Sequence, residues 1–160
     1  MKLNRMDLRI LDEMQKNGRI SNLELADKIG LSPSPCSRRV RQLEDAGYFD
    51  AHVTLLNQPK LNLKLIAMIQ VSMDRHTPER FEHFESRVSQ FEEVLECYLI
   101  TGQSADYLMK VIVPDMDYYQ DFLLGRLTRI EGVTGVQSSF VMRKVVDTTV
   151  LPLKHIKQQK

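Results

Sequence analysis

Apolar residues in the first 47 positions recur at three- and four-residue intervals, the period of helices packed on one side. Leu8, Leu11 and Met14 form one stripe, widened by Ile10, after Asn4 and Asp7 in capping-box spacing, and Gly18 stands where that helix ends. A second helix is predicted from Ser21 and Glu24, again a capping-box pair, through Leu25, Ala26 and Ile29 to a stop at Gly30. A third opens with Ser32, Pro33 and Pro35, since prolines fit only a first turn, where their missing N–H is not needed. Its apolar side carries Cys36, Val40 and Leu43, its polar side Ser34, Ser37, Arg38 and Arg41, and Gly47 closes it.

The period then changes. Alternation from Phe49 to Leu55 predicts a strand, and Asn57, Gln58 and Pro59 a turn. Lys64–Met73 alternates again, with Leu65, Ala67, Ile69, Val71 and Met73 on one face. Thr77, Pro78 and Glu79 make a helix start, followed by an inward stripe of Phe81, Phe84, Val88 and Phe91. Strands are predicted over Val94–Thr101 and Asp106–Val113, joined by residues 102–105 and ended by Pro114. Asp115 or Asp117 caps a helix running to about Thr128, with Met116, Tyr119, Leu123 and Leu127 inward. A last strand is predicted over Val136–Val146, with an extended stretch to Leu151. The order β-α-β-β-α-β is that of a ferredoxin-like sandwich, and its halves, 65–101 and 106–142, have equal length, as in a duplicated unit. The expected fold class is α+β: an N-terminal three-helix winged helix-turn-helix plus a C-terminal ferredoxin-like βαββαβ sandwich. The expected division is residues 1–56 for the first domain, 57–63 for a linker and 64–160 for the second.

Composition narrows the class. A chain that is 42% apolar and 27% charged reads as globular. No apolar run approaches the roughly 20 residues of a membrane helix, and the charged start lacks a secretory core. The expected compartment is the cytoplasm, with no membrane partner. Cys36 and Cys97 lie far apart and are expected to stay reduced. The histidines at 52, 76, 83 and 155 are scattered, so neither a metal site nor a cofactor is expected. The net charge of +1 says little, but Arg38, Arg39 and Arg41 fall within four residues. Two short helices joined by Gly30, Leu31 and Ser32 have the spacing of a helix-turn-helix, whose second helix enters the major groove. Serine hydroxyls and helix N-terminal amides suit phosphate, and arginine suits phosphate or a guanine edge. These residues alone equally fit a plain three-helix bundle with a solvated basic face. Glu92, Glu93 and Glu96 read as a solvated patch. No nucleophile–base spacing or phosphate loop is present, so the chain reads as a non-enzyme.

Particular residues go further than pattern. The stretch GRISNLELADKIGLSPSPCSRRVRQLEDAGYF resembles the helix-turn-helix of the Lrp/AsnC (feast/famine) transcription regulators. That family's G-L-S-x-x-x-(C/V)-x-x-R-(V/I)-x-x-L-E-x-x-G is met by Gly30, Leu31, Ser32, Cys36, Arg39, Val40, Leu43, Glu44 and Gly47. The opening Ser32, Pro33, Pro35, Cys36 is similar to the leucine-responsive branch, and LNRMDLRIL to the family's first helix. Farther on, YLITGQSADYLMKVIVPDMDYY resembles the family's effector-domain segment, with Met109 in place of a leucine and an alanine in the loop. GVTGVQSSFVMRKV resembles its final strand, so the resemblance runs from about Leu3 to Leu151.

The resemblance implies a sequence-specific DNA-binding transcription regulator that responds to an amino acid such as leucine or methionine. It implies duplex DNA contacts at Ser32, Ser34, Pro35, Ser37, Arg38, Arg39 and Arg41. It implies that the strand near Phe49–Leu55 pairs with its twin, and that homodimers gather into octamers. It places the effector between dimers, at Ile100, Thr101, Gly102, Gln103, Ser104, Ala105 and Asp106, with Ser139 and Phe140 of a neighbour as walls. The chemistry fits, because a glycine loop presents backbone amides to a carboxylate and an aspartate holds an ammonium. The residues also fit blander roles: Gly102 joining two strands, Asp106 capping a turn or pairing with a lysine, Met116 and Met142 filling core gaps rather than lining a pocket. An architectural DNA-packaging protein without a ligand has the same features. An enzyme built on the second domain leaves the helix-turn-helix without a purpose.

Overall fold

Both capping boxes expected from the sequence are formed. In the computed structural model, which describes residues 1–102 and 104–156, the first three helices are α1 (Arg5–Lys16), α2 (Asn22–Ile29) and α3 (Pro33–Asp45). The Asn4 side chain accepts from the amides of Met6 and Asp7, and Asp7 accepts from the Asn4 amide in return. Ser21 and Glu24 repeat the exchange at α2, which Gly30 ends in a left-handed turn at φ +74°. Ile10 and Leu11 of α1, Leu25, Ala26 and Ile29 of α2, and Cys36 and Leu43 of α3 form one buried cluster.

This unit comprises Met1–Leu55 together with the described residues from Val146 onward. Leu153 packs against the helical cluster, and the Gln15 side-chain amide both accepts from the Leu151 N–H at 2.9 Å and donates to its carbonyl at 3.1 Å. The sequence had placed residues 146–156 with the second domain. They dock here instead because so small a helical core buries little surface by itself and leaves apolar edges for Leu153 to cover.

The second unit, Leu56–Val145, contains β1 (Leu65–Met73), α4 (Pro78–Val88), β2 (Val94–Leu99), β3 (Tyr107–Val113), α5 (Met116–Gly125) and β4 (Val133–Phe140). The sheet order is β2-β3-β1-β4, every neighbour antiparallel. Thr77 caps α4 and Asp115 caps α5. Alternation sends Ala67, Ile69 and Val71 to the same face as Tyr107, Met109 and Val111, against Phe84, Val88, Tyr119, Phe122 and Leu127. The opposite face presents Ile66, Met68 and Leu108, each only part-covered.

Several expected elements differ. Residues 48–57 contain no strand, because a ladder needs a neighbour for its N–H and C=O groups and no described strand pairs with them. β4 spans Val133–Phe140 rather than Val136–Val146: Phe140 pairs with Ala67 and the Val141 amide bonds the Ile66 carbonyl, next to the start of β1. No strand extends to Leu151. α5 stops at Gly125 and a 3-10 turn, Leu127–Arg129, follows. Met116 is exposed rather than inward, since it stands first after the cap, and Phe122 fills the core one turn beyond Tyr119.

One ion pair ties α1 to α3. Asp7 is 1% exposed, and its Oδ1 accepts from Arg39 Nη1 at 2.9 Å. Asp7→Ala is expected to destabilise the protein by about 2 kcal/mol, since it removes both a helix cap and the partner of a half-buried guanidinium. Urea titration followed by circular dichroism measures this, and an unmoved midpoint would remove the pair from the determinants of the fold.

Candidate nucleic-acid interface and ligand site

The turn between α2 and α3 is fastened on three sides. Arg9 reaches from α1 to donate to the carbonyls of Ile29 at 2.9 Å and Lys28 at 2.7 Å, satisfying the open end of α2. Lys28 pairs with Glu13 at 3.0 Å. The Asn22 side-chain amide donates to the Pro33 carbonyl at 2.9 Å, joining the start of α2 to the start of α3. α3 is thereby held by its apolar side, and its other side is left bare. Ser34, Ser37, Arg38 and Arg41 are exposed on it, while Pro35 is half-buried in the first turn.

Two details change the reading of this surface. Arg39, placed among the DNA-facing residues from sequence, turns back to Asp7 and serves the fold. A step of about 100° per residue separates it from Arg38, so adjacent arginines on a helix face different surroundings. Ser32 is the N-cap of α3, yet its side chain makes no capping hydrogen bond, which leaves an exposed hydroxyl beside the bare face. With proline at the first and third positions of α3, the first turn offers only the amides of Ser32 and Ser34. It contains no acidic residue, so the positive end of the helix dipole is unopposed there.

In the second unit, the connection from β2 to β3 is clasped to the end of β1. The Asp106 amide donates to the Val71 carbonyl at 2.9 Å, and the Ile100 amide donates to the Asp106 carbonyl at 2.8 Å. The Asp106 side chain accepts the Met73 amide at Oδ2, 2.7 Å, and meets His76 Nε2 at Oδ1, 2.6 Å. The Ser72 hydroxyl donates to the Ser104 carbonyl at 3.1 Å. Gly102 adopts φ +85°, the left-handed region that glycine enters without strain. Thr101, Gly102 and Ser104 are exposed, Ile100 and Asp106 are half-buried, and Ala105 is buried. Gln103, expected in the same site, lies outside the described residues.

Ser139 and Phe140 are not brought to this loop within the chain. They pair with Met68 and Ala67, whereas the loop rests on Val71–Met73. As consecutive strand residues they point to opposite faces. Phe140 lies on the helix side, edge-on to Tyr119 with ring centres 5.1 Å apart. The Tyr119 hydroxyl meets Ser138 on that side, and Ser139 points the other way. Met116 and Met142 are both exposed.

The glutamates read as a solvated patch also divide. Glu93 is buried, with one oxygen shared by Arg126 and the Tyr118 hydroxyl. Burial pushes its acidity the other way, but these donors, with its own backbone amide, outweigh it and hold the carboxyl below its usual range. Glu96 pairs with Lys110 at 2.8 Å and accepts from the Tyr98 hydroxyl. Its carboxyl is also lowered, chiefly by Lys110. A groove of about 360 Å³ between α4 and β2, lined by Val88, Leu95, Cys97, Leu99 and Tyr107, carried no motif that sequence reading could find. His76 was also missed, because it meets Asp106 across 30 residues with no local signal.

Comparison with known proteins agrees with the geometry. Residues 66–151 match the Lrp/AsnC ligand binding domain and residues 3–49 a winged helix-turn-helix DNA-binding domain. The leucine-responsive regulatory protein of Klebsiella pneumoniae is 42% identical over 152 residues, 95% of this chain and 92% of that protein. A transcriptional regulator from Neisseria meningitidis, solved as a complex with L-Met, is 42% identical with a TM-score of 0.93 over 98% of this chain and 100% of that one. An AsnC family regulator from Agrobacterium tumefaciens is 35% identical with a TM-score of 0.90, over 97% and 100%. The bare-faced helix-turn-helix, the βαββαβ unit and a family match across more than half the chain establish that it belongs to the Lrp/AsnC family of transcription regulators.

Proposed function

We propose that the chain is a sequence-specific regulator that grips duplex DNA with the bare side of α3 and responds to an amino acid at the loop of residues 100–106. The observation that carries this reading is the fastening of α3 by Asn22 and Asp7, with Arg9 holding the end of α2 before it, which leaves Ser34, Ser37, Arg38 and Arg41 uncovered. Arg38 and Arg41 supply charge to phosphate or a guanine edge, Ser32, Ser34 and Ser37 supply hydroxyls, and Pro35 shapes the first turn. Arg39 acts from behind, by holding the helix.

An amino acid suits the loop. Gly102 lets backbone amides approach a carboxylate, Asp106 receives an ammonium, and Thr101, Ser104 and the neighbouring backbone complete the polar contacts. The Neisseria relative's L-Met complex favours methionine over other effectors, while the names of the enteric relatives keep leucine in view. Walls from a second dimer, Ser139 among them, close the site in this reading. The part-covered Ile66, Met68 and Leu108 favour a homodimer through the open sheet face, and residues 48–57 are poised to pair with a twin. Dimers gathering to octamers place several α3 helices at set spacings, so an effector at dimer contacts alters which operators are read. The cytoplasm, where bacterial DNA lies, is the compartment this role requires. An architectural DNA-packaging protein without a ligand is the second reading, favoured by the commitment of both Asp106 oxygens within the chain.

Arg38→Ala with Arg41→Ala is expected to weaken operator binding and to flatten its dependence on salt by about one unit of log–log slope per lost phosphate contact. Fluorescence anisotropy across a salt series reads both, and undiminished affinity would end the assignment of α3. Asp106→Ala is expected to lower affinity for L-methionine at least tenfold, roughly the effect of removing one charge-assisted bond, while operator binding stays measurable. Calorimetry against a panel of amino acids checks this. No heat from any of them in the unaltered protein would leave the ligand-free architectural reading.

A further inference from the structure

We infer that His76 is a built-in competitor for the amino-acid site: its imidazole holds the oxygen of Asp106 that an effector's ammonium would take, and so sets the affinity and the class of ligand admitted. The inference rests on the reading of residues 100–106 as the effector site.

The two oxygens of Asp106 are held very differently. Oδ2 accepts the Met73 backbone amide at 2.7 Å, a donor that cannot leave without unzipping the end of β1. Among the described residues Oδ1 meets His76 Nε2, at 2.6 Å, from a side chain that is 67% exposed. The carboxylate itself is 17% exposed. His76 belongs to residues 74–77 between β1 and α4, and its backbone neighbours are fixed. Asp74 donates its amide to the Gly132 carbonyl at 2.8 Å and pairs with Arg80 at 3.1 Å, while Thr77 caps α4. The ring can therefore swing away about its own side-chain bonds while the loop stays in place. Phe81, whose ring centre lies 6.0 Å from that of His76, gives the imidazole a weak resting contact.

An exposed pair of this kind is worth little, so a ligand displaces it at small cost. The newcomer must bring a donor at least as good. An ammonium carries three N–H donors and a full charge, and satisfies Oδ1 with donors to spare. A keto acid or hydroxy acid of the same shape has no such cation and leaves His76 in place. His76 thus keeps the carboxylate satisfied in the free protein and screens ligands for an α-ammonium.

The test uses the full-length protein, L-methionine as probe and calorimetry, with thermal melts to confirm folding. His76→Ala is expected to tighten L-methionine by about two- to fivefold, the range of an exposed ion pair. His76→Lys, which tethers a permanent ammonium at the same place, is expected to weaken it, giving the order Ala, His, Lys from tight to weak. The methionine keto acid is expected not to bind the unaltered protein and to stay excluded in His76→Lys. A weaker His76→Ala would show that the imidazole itself contacts the effector and would overturn the competitor role. Equal affinity in all three proteins, with Asp106→Ala still losing L-methionine, would overturn it and leave the site reading intact. L-methionine binding indifferent to Asp106→Ala would remove the site reading and the competitor role together.

Discussion

The first unit depends on one buried carboxylate. Asp7 takes the Asn4 amide on one side and the Arg39 guanidinium on the other, and so joins the start of α1 to the middle of α3. Nearly all of its surface is withdrawn from water, so each bond must be made or the charge goes unsatisfied. Its effect reaches the surface. Of three arginines within four residues, the carboxylate draws one inward and leaves Arg38 and Arg41 outward. The helix is held through its polar shoulder as well as its apolar side, and the bare face has a fixed aspect. Arg9 and Asn22 extend the same principle, spending polar side chains of α1 and α2 on backbone carbonyls at the turn. A helix read by DNA must present its side chains without rearrangement, and these bonds supply that preorganisation.

How much was legible in the sequence follows from the range of the interactions. Asn4 with Asp7 and Ser21 with Glu24 act across three residues, so their spacing alone located two helix starts. The alternation of β1 located its two faces. What was not legible acts over distance. Arg39 meets Asp7 across 32 residues and His76 meets Asp106 across 30, with nothing local to separate Arg39 from its neighbour Arg38. The strand expected at Phe49–Leu55 has the right alternation, but no described strand pairs with it. Strand alternation already sends Ser139 and Phe140, both expected as walls of the site, to opposite faces of β4. Glu93 looked like one more surface acid because its partners, Tyr118 and Arg126, lie on or just beyond a helix 25 and 33 residues away.

The second unit shows how the register of a sheet positions a loop. β1 is flanked by β3 and β4, and its last residues, Val71–Met73, also hold the loop that precedes β3. The main-chain acceptor of Val71 and the donor of Met73 bracket Asp106, so its position follows from the register of the sheet rather than from side-chain packing. Thr101, Gly102 and Ser104 of that loop are, by contrast, exposed.

Effector and operator are coupled only if the ligand favours one arrangement of the DNA-binding units over another. The covalent path for such coupling is doubled in this chain. It leaves the first unit at Leu55 and re-enters it at Val146, and the returning segment completes the helical core through Leu153 and clasps α1 through Gln15. That segment continues directly from β4, which pairs with the same strand, β1, whose far end holds Asp106. The chain thus passes between the two units twice, at Leu55 and at Val146.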